Sequence, residues 1–318
     1  MLQGTSFYFD RVLKGDICNP LVDAVKPKGI REQRKQDEST HLIQKNQPSM
    51  IIRLTNLCAQ ICSYCLCTEN DKPDIMEHAQ ITEVFKRIGN DTSVREIVLS
   101  GGDPLFVKPA TLEFVAKSIA EANRMREKPL LVALSTRLPV VAPNLLEGAR
   151  MDALIKLNPA HLDIHILHPD EITPEFVSVC NRLNASVPGI SIKTVHPLLH
   201  GINDSAEVLS MLYLRLDSEA RVRPRDLIMP MPGATPEQLM VSLESGMRIM
   251  RELKKTLPGK LVPTLTVFSP DQDAKNSDVD PFHMKKDGTF GFDIENGFIS
   301  GLFFNDGSGL QPRGACKM

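Results

Sequence analysis

The 318-residue sequence predicts an α/β fold, a partial (β/α)6 TIM-like barrel with an extension at each end. Three observations carry the prediction. Short β-branched runs recur six times through the middle of the chain, segments with apolar residues at helical spacing lie between them, and the connections are short. Such alternation argues for parallel strands joined by helical crossovers. Periodicity alone does not decide closure, but it favours an open or partial barrel over a doubly wound sheet.

The elements follow in order. Residues 1–47 form an N-terminal extension that mixes charged residues with turn formers, and Lys28–Gln47 is expected to be helix and loop outside the main body. The barrel proper, 48–258, has candidate strands at Met50–Thr55, Glu96–Ser100, Leu130–Ser135, Leu162–Ile166, Ile190–Val195 and Asp226–Met229. A helix is expected over Ala110–Met125, where Leu112, Val115, Ile119 and Ala120 share a face. Another is expected to begin at Thr235 as N-cap, with Pro236 at its first position and Gln238 completing a capping box. Thr173-Pro174-Glu175 makes a similar start. The C-terminal part, 259–318, opens with a further strand-like run, LVPTLTVF, and continues as a loop-rich subdomain.

Composition narrows the function. Apolar residues make up 42% and charged residues 24%, ordinary for a soluble globular protein. A net charge of -2 gives no basic surface for nucleic acid or an anionic membrane, so neither is expected as a partner. The first thirty residues lack the apolar run of a signal peptide or membrane span, and the chain is expected in the cytoplasm. Of seven cysteines, four crowd into ten residues while Cys18, Cys180 and Cys316 lie far apart. Clustering of this kind points to metal binding or catalysis rather than a disulfide framework.

The cluster reads TNLCAQICSYCLCT, a C-x3-C-x2-C spacing of Cys58, Cys62 and Cys65 directly after a strand, with Cys67 two residues on. Three thiolates on one turn suit three corners of a four-iron, four-sulfur cluster, because soft thiolate is the ligand such irons prefer. The fourth iron then keeps open coordination sites for a small molecule. Zinc is the alternative, with Cys67 as fourth ligand, yet structural zinc commonly uses two CxxC pairs parted by a longer loop and there is no second pair here.

The motif after the first barrel strand resembles the radical S-adenosylmethionine superfamily. Ser100-Gly101-Gly102-Asp103-Pro104-Leu105 looks like the turn that holds the methionine amino group in that superfamily, although a plain turn would read the same way. Ser135-Thr136-Arg137, His165 through Thr173, LLHGIND at 198–204 and VRPRDL at 222–227 resemble the lysine 2,3-aminomutase family in order and spacing, over roughly residues 45–305. The resemblance implies a 4Fe-4S cluster on the three cysteines, S-adenosylmethionine cleaved into a hydrogen-abstracting radical, and an electron donor such as flavodoxin or ferredoxin. It places Ser100, Gly101, Gly102, Asp103, Ser135, Arg137 and His165 at the cofactors. Taken alone, Arg137 would be a surface cation and His165 a satisfied core imidazole; at the carboxyl ends of successive strands they read as functional.

Members of that family also carry pyridoxal phosphate on a lysine, and Lys275 stands at the matching distance after Val262-Pro263-Thr264. The family's glycines there are replaced by Asp271, Gln272, Asp273 and Ala274, which stiffens the loop and adds two negative charges near a phosphate site. A solvated loop lysine is the other reading of Lys275. Lys45 falls where the family has a phosphate-contacting arginine. Cys67 replaces the arginine that holds the substrate carboxylate, and Met231 and Phe268 align with the two aspartates that grip the lysine side chain. Without those charge-assisted contacts lysine is not the expected substrate.

The expectation is therefore an aminomutase-like 2,3-amino shift on an amino acid other than lysine, an amino acid or derivative being the small-molecule partner. The alternatives are an enzyme of epimerase or dehydrogenase type that works without pyridoxal phosphate, and a non-enzymatic iron-sulfur or zinc protein. Cys67 and Cys316 are assigned no role, and homo-oligomerisation stays open.

Overall fold

The computed structural model describes residues 42–46, 48–60, 62–65, 74–230 and 235–266, together with the backbone of four short strands nearer the C-terminus. Eight strands form one sheet in sequence order: β1 (Leu42–Asn46), β2 (Ser49–Thr55), β3 (Glu96–Gly101), β4 (Leu131–Thr136), β5 (His161–Ile164), β6 (Ser191–Pro197), β7 (Arg223–Ile228) and β8 (Thr264–Thr266). β1 is antiparallel to β2, and every later neighbour is parallel. The first and last strands do not pair, so the barrel is open. A separate antiparallel sheet orders β12 (Pro312–Arg313), β11 (Gly297–Phe303), β10 (Phe290–Ile294) and β9 (His283–Met284).

Helices α1 (His78–Asn90), α2 (Pro109–Arg124), α3 (Gly148–Leu157), α4 (Pro174–Ser186), α5 (Ala206–Arg215) and α6 (Leu243–Thr256) lie between the parallel strands. Their apolar stripes meet one face of the sheet. Ile52, Leu54, Ile97, Leu99, Leu134, Leu162 and Ile164 are fully buried there with Leu112, Leu154, Phe176 and Leu253 in a single core. Each such side chain is worth about 1.5–3 kcal/mol. Residues that alternate with them along the strands, including Arg53, Ser100, Ser135 and Lys193, are half-buried and take the opposite, concave face. A parallel barrel is thus apolar outside the sheet and polar within it, and the polar side is where chemistry can occur.

Four expectations change. Leu42–Asn46, expected within a helix-and-loop stretch, is a strand that extends the sheet by pairing with β2. The run after Leu261 supplies β8, so seven strands are parallel rather than six. On α2 the buried face is Leu112, Val115, Ile119 and Ala122, and Ala120 is exposed; the stripe continues at a seven-residue interval rather than eight. Helix α6 starts at Leu243 with Ser242 as its cap, whose hydroxyl accepts from Ser245 N at 3.2 Å. Thr235 does not cap it. Leu239 and Val241 are both buried and hold the preceding chain in a 3-10 turn and then an extended residue, delaying the helix by two turns. The matching start at Thr173 is as expected, its hydroxyl accepting from Phe176 N at 3.2 Å.

Candidate active site

β2 ends in Thr55, and the cysteine loop leaves from there. Its base is closed by reciprocal bonds: Asn56 N donates to Asp74 O at 3.0 Å and Asp74 N to Asn56 Oδ1 at 2.8 Å. Thr55 Oγ1 adds a bond to Asp74 O at 2.8 Å and accepts from Leu57 N at 3.0 Å. Cys58, Cys62 and Cys65 are half-buried thiols, and Cys65 N donates to Cys62 O at 3.0 Å in the turn between the last two.

The glycine turn after β3 packs directly on this loop. Gly102 N donates to Thr55 O at 2.6 Å, and Asp103 N to Leu57 O at 2.7 Å. A Cβ at Gly101 would lie 2.4 Å from Thr55 O, and one at Gly102 2.3 Å from Leu57 O. Gly101 also has φ +115°, a conformation side chains rarely adopt. The two glycines let backbone meet backbone, which fixes the thiols over the sheet.

The side chain of Asp103 turns the other way. It is buried and accepts from Leu105 N at 3.0 Å, Thr136 Oγ1 at 2.7 Å, Arg137 N at 2.8 Å and Leu138 N at 2.9 Å. Burial pushes its pKa up while these donors hold it down. Sequence resemblance grouped Asp103 with the cofactor contacts; its carboxylate caps the end of β4 and sets where Arg137 begins.

Arg137 then spans three elements. Nε donates to Gln60 Oε1 of the cysteine loop at 3.0 Å, one guanidinium nitrogen donates to His165 O at 2.8 Å, and the other is ion-paired with Glu171. Glu171 is buried and also accepts from Leu167 N at 2.7 Å. His165 and Ser135 meet side chain to side chain, Nε2 to Oγ at 2.7 Å. Burial, then the cationic Arg137, lowers the His165 pKa to about 4, so the imidazole is neutral at pH 7. Behind β6, on the helix side, His196 contacts Tyr213 Oη at 3.0 Å and is likewise lowered to about 4 by burial.

Ser100, Gly101, Gly102, Ser135, Arg137 and His165 therefore gather with the three cysteines at the carboxyl end of the parallel strands. Lys275 lies outside the described residues, as do Cys67, Met231, Phe268 and Cys316. Gln60, Tyr64 and Glu171 take part without having been singled out. Tyr64 packs on Leu167, Leu199 and Leu239, and its buried hydroxyl lies against the Cys62 thiol. Burial raises its pKa well above the ordinary value, with Arg137 opposing and the Cys62 thiol adding to the rise.

The residues present fit a four-iron cluster. The glycine cradle holds the loop that carries the three soft thiols, and the Tyr64 hydroxyl is buried beside Cys62. Among the described residues no three His, Cys, Asp or Glu side chains are gathered about one point for a single ion.

Comparison with known proteins places this geometry. The family model described as Radical SAM superfamily matches residues 52–245. L-lysine 2,3-aminomutase of Clostridium subterminale is 29% identical over 223 residues, covering 70% of this chain and 52% of that protein. Glutamate 2,3-aminomutase of Clostridioides difficile is 27% identical over 278 residues, covering 83% and 64%. The chain thus spans about half to two thirds of the length of these relatives. The solved structure of native anSMEcpe with bound AdoMet superposes with a TM-score of 0.52 at 12% identity, covering 76% of this chain and 72% of that one, a likeness of fold alone. Among the described residues no helix is long and apolar enough to cross a membrane.

Proposed function

The chain belongs to the Radical SAM superfamily, and from that premise we propose that it cleaves S-adenosylmethionine at a 4Fe-4S cluster on Cys58, Cys62 and Cys65 and performs a 2,3-amino shift on an amino acid other than lysine. Cys58, Cys62 and Cys65 would hold the cluster, and a reduced cluster would supply the one electron that reductive cleavage of S-adenosylmethionine and hydrogen abstraction need, drawn from a donor such as flavodoxin or ferredoxin. The observation that carries the proposal is the docking of the cysteine loop on Gly101 and Gly102 at the carboxyl end of the strands.

Each residue has its part. The glycine turn lets the backbone of the cysteine loop pack directly against the end of β3. Arg137 ties the cysteine loop, through Gln60, to the end of β5, and Glu171 fixes its guanidinium. His165, held by Ser135, is neutral and would add no charge of its own beside a bound cofactor. Cys67, Met231 and Phe268 stand where the lysine-specific family has an arginine and two aspartates, and this favours another substrate. Pyridoxal phosphate on Lys275 completes the reading. The loss of glycines at 271–274 favours a second one, hydrogen abstraction of epimerase or dehydrogenase type without that cofactor.

The test is anaerobic reconstitution with iron and sulfide, reduction by dithionite, and chromatography of 5′-deoxyadenosine in the presence of candidate amino acids. Production that Cys62→Ala abolishes is expected; production retained by that variant overturns the cluster assignment. Borohydride reduction with pyridoxal phosphate should label Lys275, and an unlabelled lysine leaves only the second reading.

A further inference from the structure

Tyr64 stands inside the turn that joins two of the cluster cysteines. Cys65 N donates to Cys62 O at 3.0 Å across that turn, so one short stretch of backbone carries both the tyrosine and Cys62. Its hydroxyl is buried against the Cys62 thiol. The ring is clamped from the far side of the barrel by three buried residues, Leu167 after β5, Leu199 after β6 and Leu239 after β7. Hydrogen bonds fix the backbone of each. Leu167 N donates to Glu171 Oε2 at 2.7 Å, Leu199 N to Asn203 Oδ1 at 2.7 Å, and Leu239 O accepts from His200 N at 3.0 Å. Turn and clamp together leave the phenol little freedom to swing away from the thiol.

A phenol hydroxyl both donates and accepts. Arg137 and Glu171 are its charged neighbours. The guanidinium offers only donors, and the Glu171 oxygens already accept from Arg137 and from Leu167 N. Cys62 Sγ is the acceptor against which the hydroxyl lies, and a thiolate bound to iron accepts better than a thiol because it carries charge. We propose that Tyr64 donates a hydrogen bond to Cys62 Sγ when that sulfur holds the cluster, and that this bond makes the cluster easier to reduce. The inference rests on the reading that Cys62 is a cluster ligand. Reduction adds negative charge that the sulfurs share, so a donor to one of them stabilises the reduced state more than the oxidised one. The leucines around the ring keep water away, and a hydrogen bond in such surroundings is stronger than one in water. Tyr64 is thus a positioning residue that acts through Cys62 and sets how strong a reductant the chain needs.

The full chain, reconstituted anaerobically with iron and sulfide, is titrated with dithionite against mediator dyes, and reduction is followed by electron paramagnetic resonance. Iron per chain is measured alongside. Tyr64→Phe keeps the ring in its leucine clamp and removes the hydroxyl alone, so iron per chain should stay at the wild-type level. Its reduction should become about tenfold less favourable, a potential about 59 mV lower for one electron. Tyr213→Phe is the control, because it removes a buried hydroxyl that meets His196 behind β6 at 3.0 Å; its potential should equal that of the wild type. Replacement of Tyr64 by 3-fluorotyrosine strengthens the donor without emptying the site and should raise the potential. It carries the test should Tyr64→Phe lose its cluster. An unchanged or raised potential in cluster-bearing Tyr64→Phe, an equal fall in Tyr213→Phe, or an unchanged or lowered potential with 3-fluorotyrosine overturns the proposal. A wild-type chain that takes up no iron overturns the cluster reading and the proposal with it, whereas a wild-type cluster whose potential ignores Tyr64 overturns the proposal alone.

Discussion

Gly102→Ala separates a structural from a chemical role for the glycine turn. The added Cβ would meet Leu57 O at 2.3 Å, a main-chain carbon of Asn56 at 2.5 Å and Leu57 N at 2.7 Å, all backbone of the cysteine loop. Real Cβ contacts essentially never fall below 3.0 Å, so Leu57 O must retreat by at least 0.7 Å, the difference between 3.0 and 2.3. Overpacking of this kind costs about 1–3 kcal/mol. The retreat also breaks or stretches Gly102 N to Thr55 O and Asp103 N to Leu57 O, each worth about 1 kcal/mol. The expected loss is therefore about 3–5 kcal/mol if both bonds break, read as a lower urea midpoint. Because the moved backbone carries Cys58, iron retained per chain after reconstitution should fall too. Formation of 5′-deoxyadenosine should fall on the order of a hundredfold, the usual effect of an ångström's misplacement. Gly148→Ala is the control: its Cβ meets nothing within 4 Å, and its φ of +50° costs only backbone strain, about 1–2 kcal/mol. It should leave iron content alone. A Gly102→Ala protein with full iron and an unchanged midpoint would refute the close backbone packing as the reason for that glycine.

Other outcomes follow from the same structure. Glu171→Gln strands a guanidinium whose side chain is 10% exposed, and it should destabilise the chain by about 3–5 kcal/mol in urea titration. His165 and His196 have pKa values lowered to about 4 against about 6.5 unfolded, so the unfolded chain binds more protons between those values. Stability is then full above pH 6.5 and is lost as pH falls toward 4, on the order of 3 kcal/mol for the fully buried His196. Urea midpoints of the cluster-free chain at pH 7 and pH 5 should show the drop, and His196→Gln should flatten it. Ser242→Ala should cost about 1 kcal/mol by removing the cap of α6.

What the sequence made legible were features whose physics is local. Three cysteines at that spacing are a liganding pattern wherever they occur, and β-branched runs such as MIIRLT and LLVALS mark strands whatever surrounds them. Thr173 was readable as a cap because nothing pulls its chain out of helical course, whereas Leu239 and Val241 find buried places and carry the start of α6 from Thr235 to Ser242. Gln60 and Glu171 could not be read as a pair of anchors. They lie 77 and 34 residues from Arg137 and become its neighbours only once β4 and β5 are side by side.

Those long-range contacts also explain why Arg137 sits still. A guanidinium on a long side chain loses rotamer freedom when it is fixed, and that loss must be offset by bonds at both of its ends. Asp103, at the end of β3, binds the main-chain nitrogens of Arg137 and Leu138 and so fixes the root of the side chain. Glu171, after β5, binds the tip and is itself held by Leu167 N. Gln60 and His165 O then take the remaining donors in directions already decided. Two buried carboxylates from either side of β4 thus serve a single arginine, and through it the cysteine loop is set against the end of β5. If either carboxylate is neutralised, the loop keeps its glycine contacts but loses its reference to His165. Damage at Glu171 should therefore show first in cofactor alignment, as slow cleavage with full iron, whereas damage at Gly102 should show first in iron itself.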